Sequence, residues 1–149
     1  MDLLSTNVKS KLLRNSHLLI HGTCLRSESP KIFADMSEAR IPLETCLEKE
    51  HMNTVGFKIA TIIGTSSPTG IAVLTMNGSP HCLQLHFAVE QAVKQTWSRL
   101  RPRHFVVEKG VVREVDRHVV WLARHLADLN LFLESRGKDA PTASQGRKA

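Results

Sequence analysis

Aromatic residues are scarce in this 149-residue sequence, which contains no tyrosine, two tryptophans and five phenylalanines. A hydrophobic core must therefore be built mainly from Val, Ile, Leu and Ala. The hydrophobic share of 42% and the charged share of 23% are those of a globular protein, which excludes a chain that is disordered throughout. The length leaves room for one ordinary domain with at most an appended arm.

Cysteine is also scarce: Cys24, Cys46 and Cys82 are an odd number at irregular spacing. This is a poor disulfide framework and indicates a reducing compartment, so we expect a cytoplasmic protein. No apolar run approaches the ~18–20 residues of a membrane span, and we expect no transmembrane segment. Residues 1–27 are rich in Leu, Ser, Lys and Arg and poor in acids, so import into an organelle is an alternative.

Acidic residues are few overall, and the formal net charge of +6 is unevenly distributed along the chain. Residues 1–27 predict a basic amphipathic N-terminal arm, which packs on its own domain or binds a membrane surface or partner. Residues 28–51 have an acidic excess and predict a linker with one short helix. Residues 52–136 predict the folded core domain, and residues 137–149 a disordered polar tail.

The core segment begins with strand-like patterns. Residues 55–63 are β-branched and apolar, and residues 70–76 repeat that pattern. Asn77-Gly78 is a strong hairpin signal, because both residues tolerate positive φ. Residues 81–87 alternate cleanly between apolar and polar positions. These features predict an antiparallel β-meander.

Helical periodicity follows. Residues 88–101 predict a helix, residues 104–108 one further strand, and residues 112–133 a long C-terminal helix with an unbroken heptad stripe. The stripe consists of Val112, Val115, Val119, Leu122, Leu126, Leu129 and Leu133. We therefore predict an α+β fold: a small antiparallel meander of three to four strands, two helices of which the last is long and heptad-striped, and an N-terminal helical arm.

The stripe has two interpretations, which are packing on the sheet and self-association. Further apolar residues off the seam, including Trp121 and Phe132, favour self-association, because a helix that is apolar on more than one side must bury more than one side. We expect a homodimer formed through this helix.

A cluster of basic residues falls within positions 94–113, from the first predicted helix to the start of the second. It consists of Lys94, Arg99, Arg101, Arg103, His104, Lys109 and Arg113. The planar guanidinium of arginine donates two hydrogen bonds to one phosphate, so this corner predicts contact with a polyanion such as nucleic acid. A merely solubilising surface and an acidic protein partner are the alternatives.

A zinc site is a further alternative. His21-x2-Cys24 and Cys46-x4-His51 supply two pairs of ligands of the kind that form a tetrahedral structural zinc site. The pairs lack the usual Cys-x2-Cys knuckle, however, so we expect no cofactor as the first interpretation.

No catalytic group is recognisable. On a strand, Cys82 and His86 would be about 13 Å apart, too far to act on one atom. The sequence therefore predicts a non-enzymatic binding module. The alternative is a protein-interaction factor, such as an adaptor, an inhibitor or an antitoxin-like regulator, that acts through its exposed apolar helix.

Overall fold

The computed structural model describes residues 1–137, and its strands form one five-stranded sheet. The strands are β1 (His17–Gly22), β2 (Ile41–Thr45), β3 (Gly70–Met76), β4 (Arg103–Glu108) and β5 (Val111–Val115). Their order across the sheet is β2-β1-β3-β4-β5. The first four strands pair in parallel, and β5 pairs antiparallel with β4.

Helices connect the parallel strands, as a parallel sheet requires. The helices are α1 (Leu25–Glu28), α2 (Pro30–Ser37), α3 (Met52–Ser66), α4 (Pro80–Gln95), α5 (Arg117–Leu122) and α6 (Leu126–Ser135). The α1–α2 pair joins β1 to β2, α3 joins β2 to β3, and α4 joins β3 to β4. A short 3-10 helix, Lys11–Leu13, precedes β1.

Local sequence signals fix where the two long helices begin. The Ser79 hydroxyl accepts a hydrogen bond from the backbone N–H of Cys82, and Pro80 occupies the first turn of α4. Both features are typical of a helix N-terminus. The His51 side chain accepts from the backbone N–H of Asn53 and caps α3 in the same way.

Hydrophobic residues cover both faces of the sheet. One face packs against α3 and α4 in a cluster that includes Ile20, Val73, Ile59 and Val89. The other face carries a smaller cluster with residues of α1 and α2. That cluster consists of Leu19, Leu25, Ala72, Leu74, Phe105 and Val107, with Ile32 and Met36 packed against it. The architecture is therefore α/β, with helices on both sides of a mostly parallel sheet.

The chain divides into two compact units, Met1–Arg117 and His118–Ala149. The first contains the whole sheet and α1 to α4. The second contains most of α5 and, in its described part, α6. The predicted tail, residues 137–149, lies outside the described residues except for Gly137.

The predicted antiparallel meander is wrong. Residues 55–63 belong to α3, and residues 81–87 belong to α4. Residues 55–63 are rich in β-branched side chains, but β propensity is weak compared with burial of one helical face. Val55, Ile59 and Ile62 follow helical spacing, and all three are buried. The Asn77-Gly78 pair joins a strand to a helix; the hairpin turn is Lys109-Gly110, where both residues have positive φ.

The predicted long C-terminal helix is also wrong. Val112 and Val115 of the heptad stripe lie in β5, and the remaining five residues are divided between α5 and α6. The two helices are separated at 123–125. A strand and two helices cannot present one continuous seam, so the 3–4 spacing here is coincidental.

The predicted N-terminal helical arm is replaced by strand and turn structure. Residues 17–22 form β1, which lies between β2 and β3 and is buried from Leu18 onward. Its run of apolar residues is typical of a strand covered on both faces. Within residues 1–137, no helix has both the length and the apolar character to cross a membrane.

Candidate functional site

The carboxyl edge of the sheet contains the point where the chain reverses its direction of winding. From β1 the chain moves outward to β2 and then returns past β1 to β3. The loops that leave β1 and β3 therefore diverge to opposite sides of the sheet. In open α/β sheets, ligands bind in the crevice that such diverging loops create.

All three cysteines lie at this edge. Cys24 follows β1 by two residues, Cys46 directly follows β2, and Cys82 is in the first turn of α4 after β3. The register places Gly22 opposite Thr45. The three strands β2, β1 and β3 are adjacent in the sheet, so three positions distant in sequence become neighbours in space.

Backbone contacts hold the first two cysteines close together. The N–H of Thr23 donates to the carbonyl of Thr45 at 3.1 Å, and these residues immediately precede Cys24 and Cys46. The Cys24 thiol lies over the end of β1: a methyl group added at Gly22 would be 3.6 Å from Cys24 Sγ. The thiol is therefore within van der Waals distance of the end of β1.

The third thiol, that of Cys82, acts electrostatically on the thiol of Cys24. Partial burial raises the pKa of the Cys24 thiol, and the neighbouring thiols of Cys82 and Cys46 raise it further. All three are free thiols; Cys24 is exposed, while the other two are half-buried. In residues 1–137, no group of three or more His, Cys, Asp or Glu side chains is arranged to hold a single metal ion.

A cavity of about 380 Å³ opens beside this edge, between the ends of β3 and β4 and the start of α4. It is lined by Thr75, Met76, Asn77, Gly78, Ser79, Pro80, Leu83, His86 and Val106. None of these nine side chains carries a formal charge at neutral pH. The cavity volume is in the range of pockets that bind small molecules.

A chain of hydrogen bonds leads from the cavity into the protein. Thr75 Oγ1 is 2.9 Å from His86 Nε2, and His86 Nδ1 is 2.8 Å from His104 Nδ1. His104 Nε2 is 2.7 Å from Glu90 Oε1. The Arg117 guanidinium donates to both oxygens of the same carboxylate, at 2.8 and 2.6 Å.

The charges along this chain are set by burial and by the ion pair. Burial and, to a smaller extent, the adjacent His104 lower the pKa of His86 to about 3, so His86 is neutral. Burial alone would raise the pKa of Glu90, but hydrogen bonds from Arg117 and His104 outweigh it and hold that pKa at about 2. Glu90 is therefore a carboxylate that accepts the Nε2–H of His104.

The predicted basic corner is divided among separate places. Lys94, Arg99 and Arg101 are exposed near the end of α4, whereas Lys109 is in the turn at the other end of β4. His104 is fully buried. Three of the seven residues contact acids: Arg103 contacts Glu114 at 2.8 Å, Arg113 contacts Glu108 at 3.3 Å, and His104 contacts Glu90 at 2.7 Å. Polyanion binding stays a prediction.

Of the four predicted zinc ligands, Cys24 and Cys46 come together at the carboxyl edge. His21 is fully buried in β1, and its Nδ1 contacts the carbonyl of Gly22 at 3.0 Å. Among residues 1–137, its Nε2 has no hydrogen-bond partner. His51 is exposed and caps α3. Zinc binding by this set stays a prediction.

Self-association also stays a prediction. In the described part of the second unit, Val119, Leu126 and Leu133 are exposed, and Leu122 and Leu129 are half-buried. Val112 packs against the smaller core cluster of the sheet.

Sequence reasoning did not bring Cys82 together with Cys24 and Cys46, and it did not connect Thr75, His86 and Glu90. The signal that could have revealed part of this arrangement is Ser79-Pro80, which is typical of a helix start. On a helix, Cys82 and His86 are one turn apart on the same face instead of about 13 Å apart along a strand.

The loop after β1 lacks the dinucleotide-binding fingerprint. G-x-G-x-x-G would place glycines at positions 22, 24 and 27, but the residues are Gly22, Cys24 and Ser27. The second glycine of the fingerprint lets the backbone approach the pyrophosphate, and in this chain that position is Cys24. The helix that follows, α1, has only four residues and supplies little dipole.

Comparison with known proteins agrees with the fold. Neither the search of curated proteins nor the search of solved structures finds a match to this chain. A family model described as a Rossmann-like domain matches residues 10–143, which is most of the chain. The chain therefore belongs to the Rossmann-like domain family.

Proposed function

We propose that this Rossmann-like domain binds an iron–sulfur cluster through Cys24, Cys46 and Cys82. The observation that carries the proposal is that every cysteine of the chain follows one of three adjacent parallel strands at the same edge of the sheet. Thiolates are the protein ligands that iron–sulfur clusters use. The edge is also where ligands bind in this architecture.

The spacing of the thiols favours a cluster over a single ion. In a tetrahedral zinc site, all ligands are about 2.3 Å from one metal atom, so their sulfur atoms crowd together. In a four-iron cluster, each thiolate binds a different iron, and the sulfur atoms stand further apart. The thiols of Cys46 and Cys82 act electrostatically on that of Cys24, yet no group of three or more His, Cys, Asp or Glu side chains in the described part of the chain is arranged to hold one ion.

The proposed site differs from ferredoxin sequences in how its ligands are brought together. Ferredoxin cysteines are closely spaced in one segment, whereas here 22 and 36 positions separate consecutive cysteines. The parallel sheet supplies the convergence instead. Three ligands also leave one iron of a four-iron cluster without a cysteine, and a small external molecule could bind to that iron.

The proposal is tested by anaerobic reconstitution with iron and sulfide, followed by visible absorption and electron paramagnetic resonance. Each of the variants Cys24→Ala, Cys46→Ala and Cys82→Ala should lose most of the cluster absorption. His51→Ala is the matched control, since it removes a predicted zinc ligand outside the three-cysteine set. Circular dichroism of each variant checks that the fold is kept.

Two outcomes would refute the cluster. One is a wild-type chain that gains no cluster absorption on reconstitution. The other is stoichiometric zinc that persists in Cys82→Ala but is lost in His51→Ala, which would favour the alternative set of His21, Cys24, Cys46 and His51. The two variants therefore separate the two metal sites.

A further inference from the structure

We infer that the cavity between β3, β4 and α4 binds a small uncharged molecule, and that one buried proton decides whether Thr75 accepts a hydrogen bond from that molecule or donates one to it. This inference is independent of the proposed cluster. It rests on the direction of each hydrogen bond in the chain Thr75–His86–His104–Glu90, which follows from counting donors and acceptors.

With both imidazoles neutral, every direction in the chain is fixed. The Glu90 carboxylate can only accept, so His104 Nε2 donates to it and His104 Nδ1 must accept. His86 Nδ1 therefore donates to His104, and His86 Nε2 accepts from the Thr75 hydroxyl. The only hydrogen of that hydroxyl is used within the protein. Thr75 can then offer the cavity only a lone pair.

Adding one proton to His104 reverses the chain. Both ring nitrogens of His104 then donate, one to Glu90 and one to His86 Nδ1. His86 remains neutral with its hydrogen on Nε2, which donates to Thr75 Oγ1. The hydroxyl hydrogen of Thr75 is released from the chain and can point into the cavity. A single proton thus converts Thr75 from an acceptor into a donor.

The groups around His104 keep the charge of the added proton out of the cavity. From α4, His86 and Glu90 face the imidazole; Arg117 pairs with Glu90, and Asp116 acts on Arg117. On the neighbouring strands, the register places the uncharged Val73 of β3 and Val115 of β5 opposite His104. The uncharged Thr75 of β3 reaches His104 through His86. The added charge therefore stays beside the Glu90 carboxylate, inside the protein.

The walls of the cavity favour an uncharged ligand with an apolar body. Met76, Pro80, Leu83 and Val106 supply the apolar surface. Thr75 and Val106 face each other in the β3–β4 register, so the hydroxyl is next to an apolar wall. A charged ligand would find no charged side chain among the lining residues to compensate the loss of its hydration.

Phenol and anisole are matched probes, since they differ by one methyl group that removes the hydrogen-bond donor. Their dissociation constants are measured by amide chemical-shift changes in isotope-labelled full-length protein, at about pH 8 and about pH 5, the range in which histidines titrate. At the higher pH, phenol should bind about tenfold more tightly than anisole, as one hydrogen bond permits. At the lower pH the two should bind about equally, because Thr75 then donates to either oxygen.

Thr75→Val tests the source of the difference. It should remove the preference for phenol at the higher pH and leave anisole binding at that pH unchanged, while Thr61→Val on α3 should change neither. Equal binding of the two probes at high pH would overturn the inference, as would a ratio independent of pH, or shifts that do not include Leu83 and Val106.

A second measurement needs neither ligand nor variant. Nitrogen-15 shifts of the imidazoles should show the hydrogen of His86 on Nδ1 at high pH and on Nε2 at low pH. A hydrogen found on Nε2 throughout would overturn the reversal, even if Thr75→Val fails to fold.

Discussion

The Nδ1 atoms of His86 and His104 are 2.8 Å apart, with no charged group between them. Only one of two facing nitrogens can hold a hydrogen, so the two imidazoles share one proton and cannot choose their tautomers independently. The pair connects a cavity at the carboxyl edge of the sheet to the Glu90–Arg117 ion pair. Its burial also makes the stability of the domain depend on pH.

We expect the free energy of unfolding to decrease as the pH falls below about 6.5. The pKa of His86 is lowered to about 3 in the folded state, so its neutral form stabilises the fold fully above its ordinary pKa of 6.5. That contribution is lost as the pH falls from 6.5 toward about 3. The loss should be on the order of 1 kcal/mol per pH unit, because the unfolded state then binds one more proton.

Urea unfolding between about pH 7 and about pH 4.5 measures this slope. His86→Gln should flatten it by about one proton, although the buried His21, whose pKa is also lowered by burial, retains its own contribution. Glu90 adds to the loss only below 4.5, its ordinary pKa. A slope that is identical in wild type and His86→Gln would show that His86 does not titrate with unfolding.

The three thiols should be measurable as neighbours before any metal is added. Burial and the thiols of Cys82 and Cys46 raise the pKa of Cys24, so its alkylation by iodoacetamide should require a higher pH than that of an ordinary thiol. Cys82→Ser should move the alkylation profile of Cys24 to lower pH. Mass spectrometry of the peptide that contains Cys24 follows the rate. If the alkylation profile of Cys24 is unchanged in Cys82→Ser, the thiol of Cys82 does not influence that of Cys24.

Two glycine substitutions should have opposite effects on stability. Gly78, at the cavity, has a φ of +84°, so Gly78→Ala should cost about 1 kcal/mol of unfolding free energy. Gly64 is in α3 with open space around it, so Gly64→Ala should stabilise the domain by about 0.5–1 kcal/mol. Thermal unfolding of both variants checks the signs. Equal changes in unfolding free energy in the two variants would contradict the positive φ of Gly78 and the helical position of Gly64.

Some of the fold could be predicted from the sequence. The predicted strands at 70–76 and 104–108 are β3 and β4, whose apolar runs are typical of strands with both faces covered. The second half of α4 was predicted as well, because its apolar residues follow helical spacing over the segment from Ala88 onward.

The helix α3 and the first half of α4 could not be predicted, because their local sequence patterns fit a strand as well as a helix. Residues 81–87 alternate like a strand, but Leu85 and Val89 also fit one helical face, and only burial against the sheet selects the helix. Whether these segments are helices or strands determines the whole architecture. If the segments of α3 and α4 were strands, consecutive strands would pair antiparallel. An antiparallel sheet has no single edge at which the carboxyl ends of all strands meet.

The candidate site depended on that architecture. The short spacings of Cys24 to His21 and of Cys46 to His51 predict metal ligands, but Cys82 is distant from both cysteines in sequence. Because the three cysteines have no regular spacing, they form no sequence motif that would predict a shared site. Their convergence follows only from the strand order, which places β1 between β2 and β3.

The most direct test of the central claim is the iron and acid-labile sulfide content of the full-length chain after anaerobic reconstitution. We expect about four irons and about four sulfides per chain, as in a four-iron cluster, and a loss of most of both in Cys82→Ala. A wild-type chain that retains neither iron nor sulfide after desalting would contradict the account, as would a Cys82→Ala variant that retains both in full.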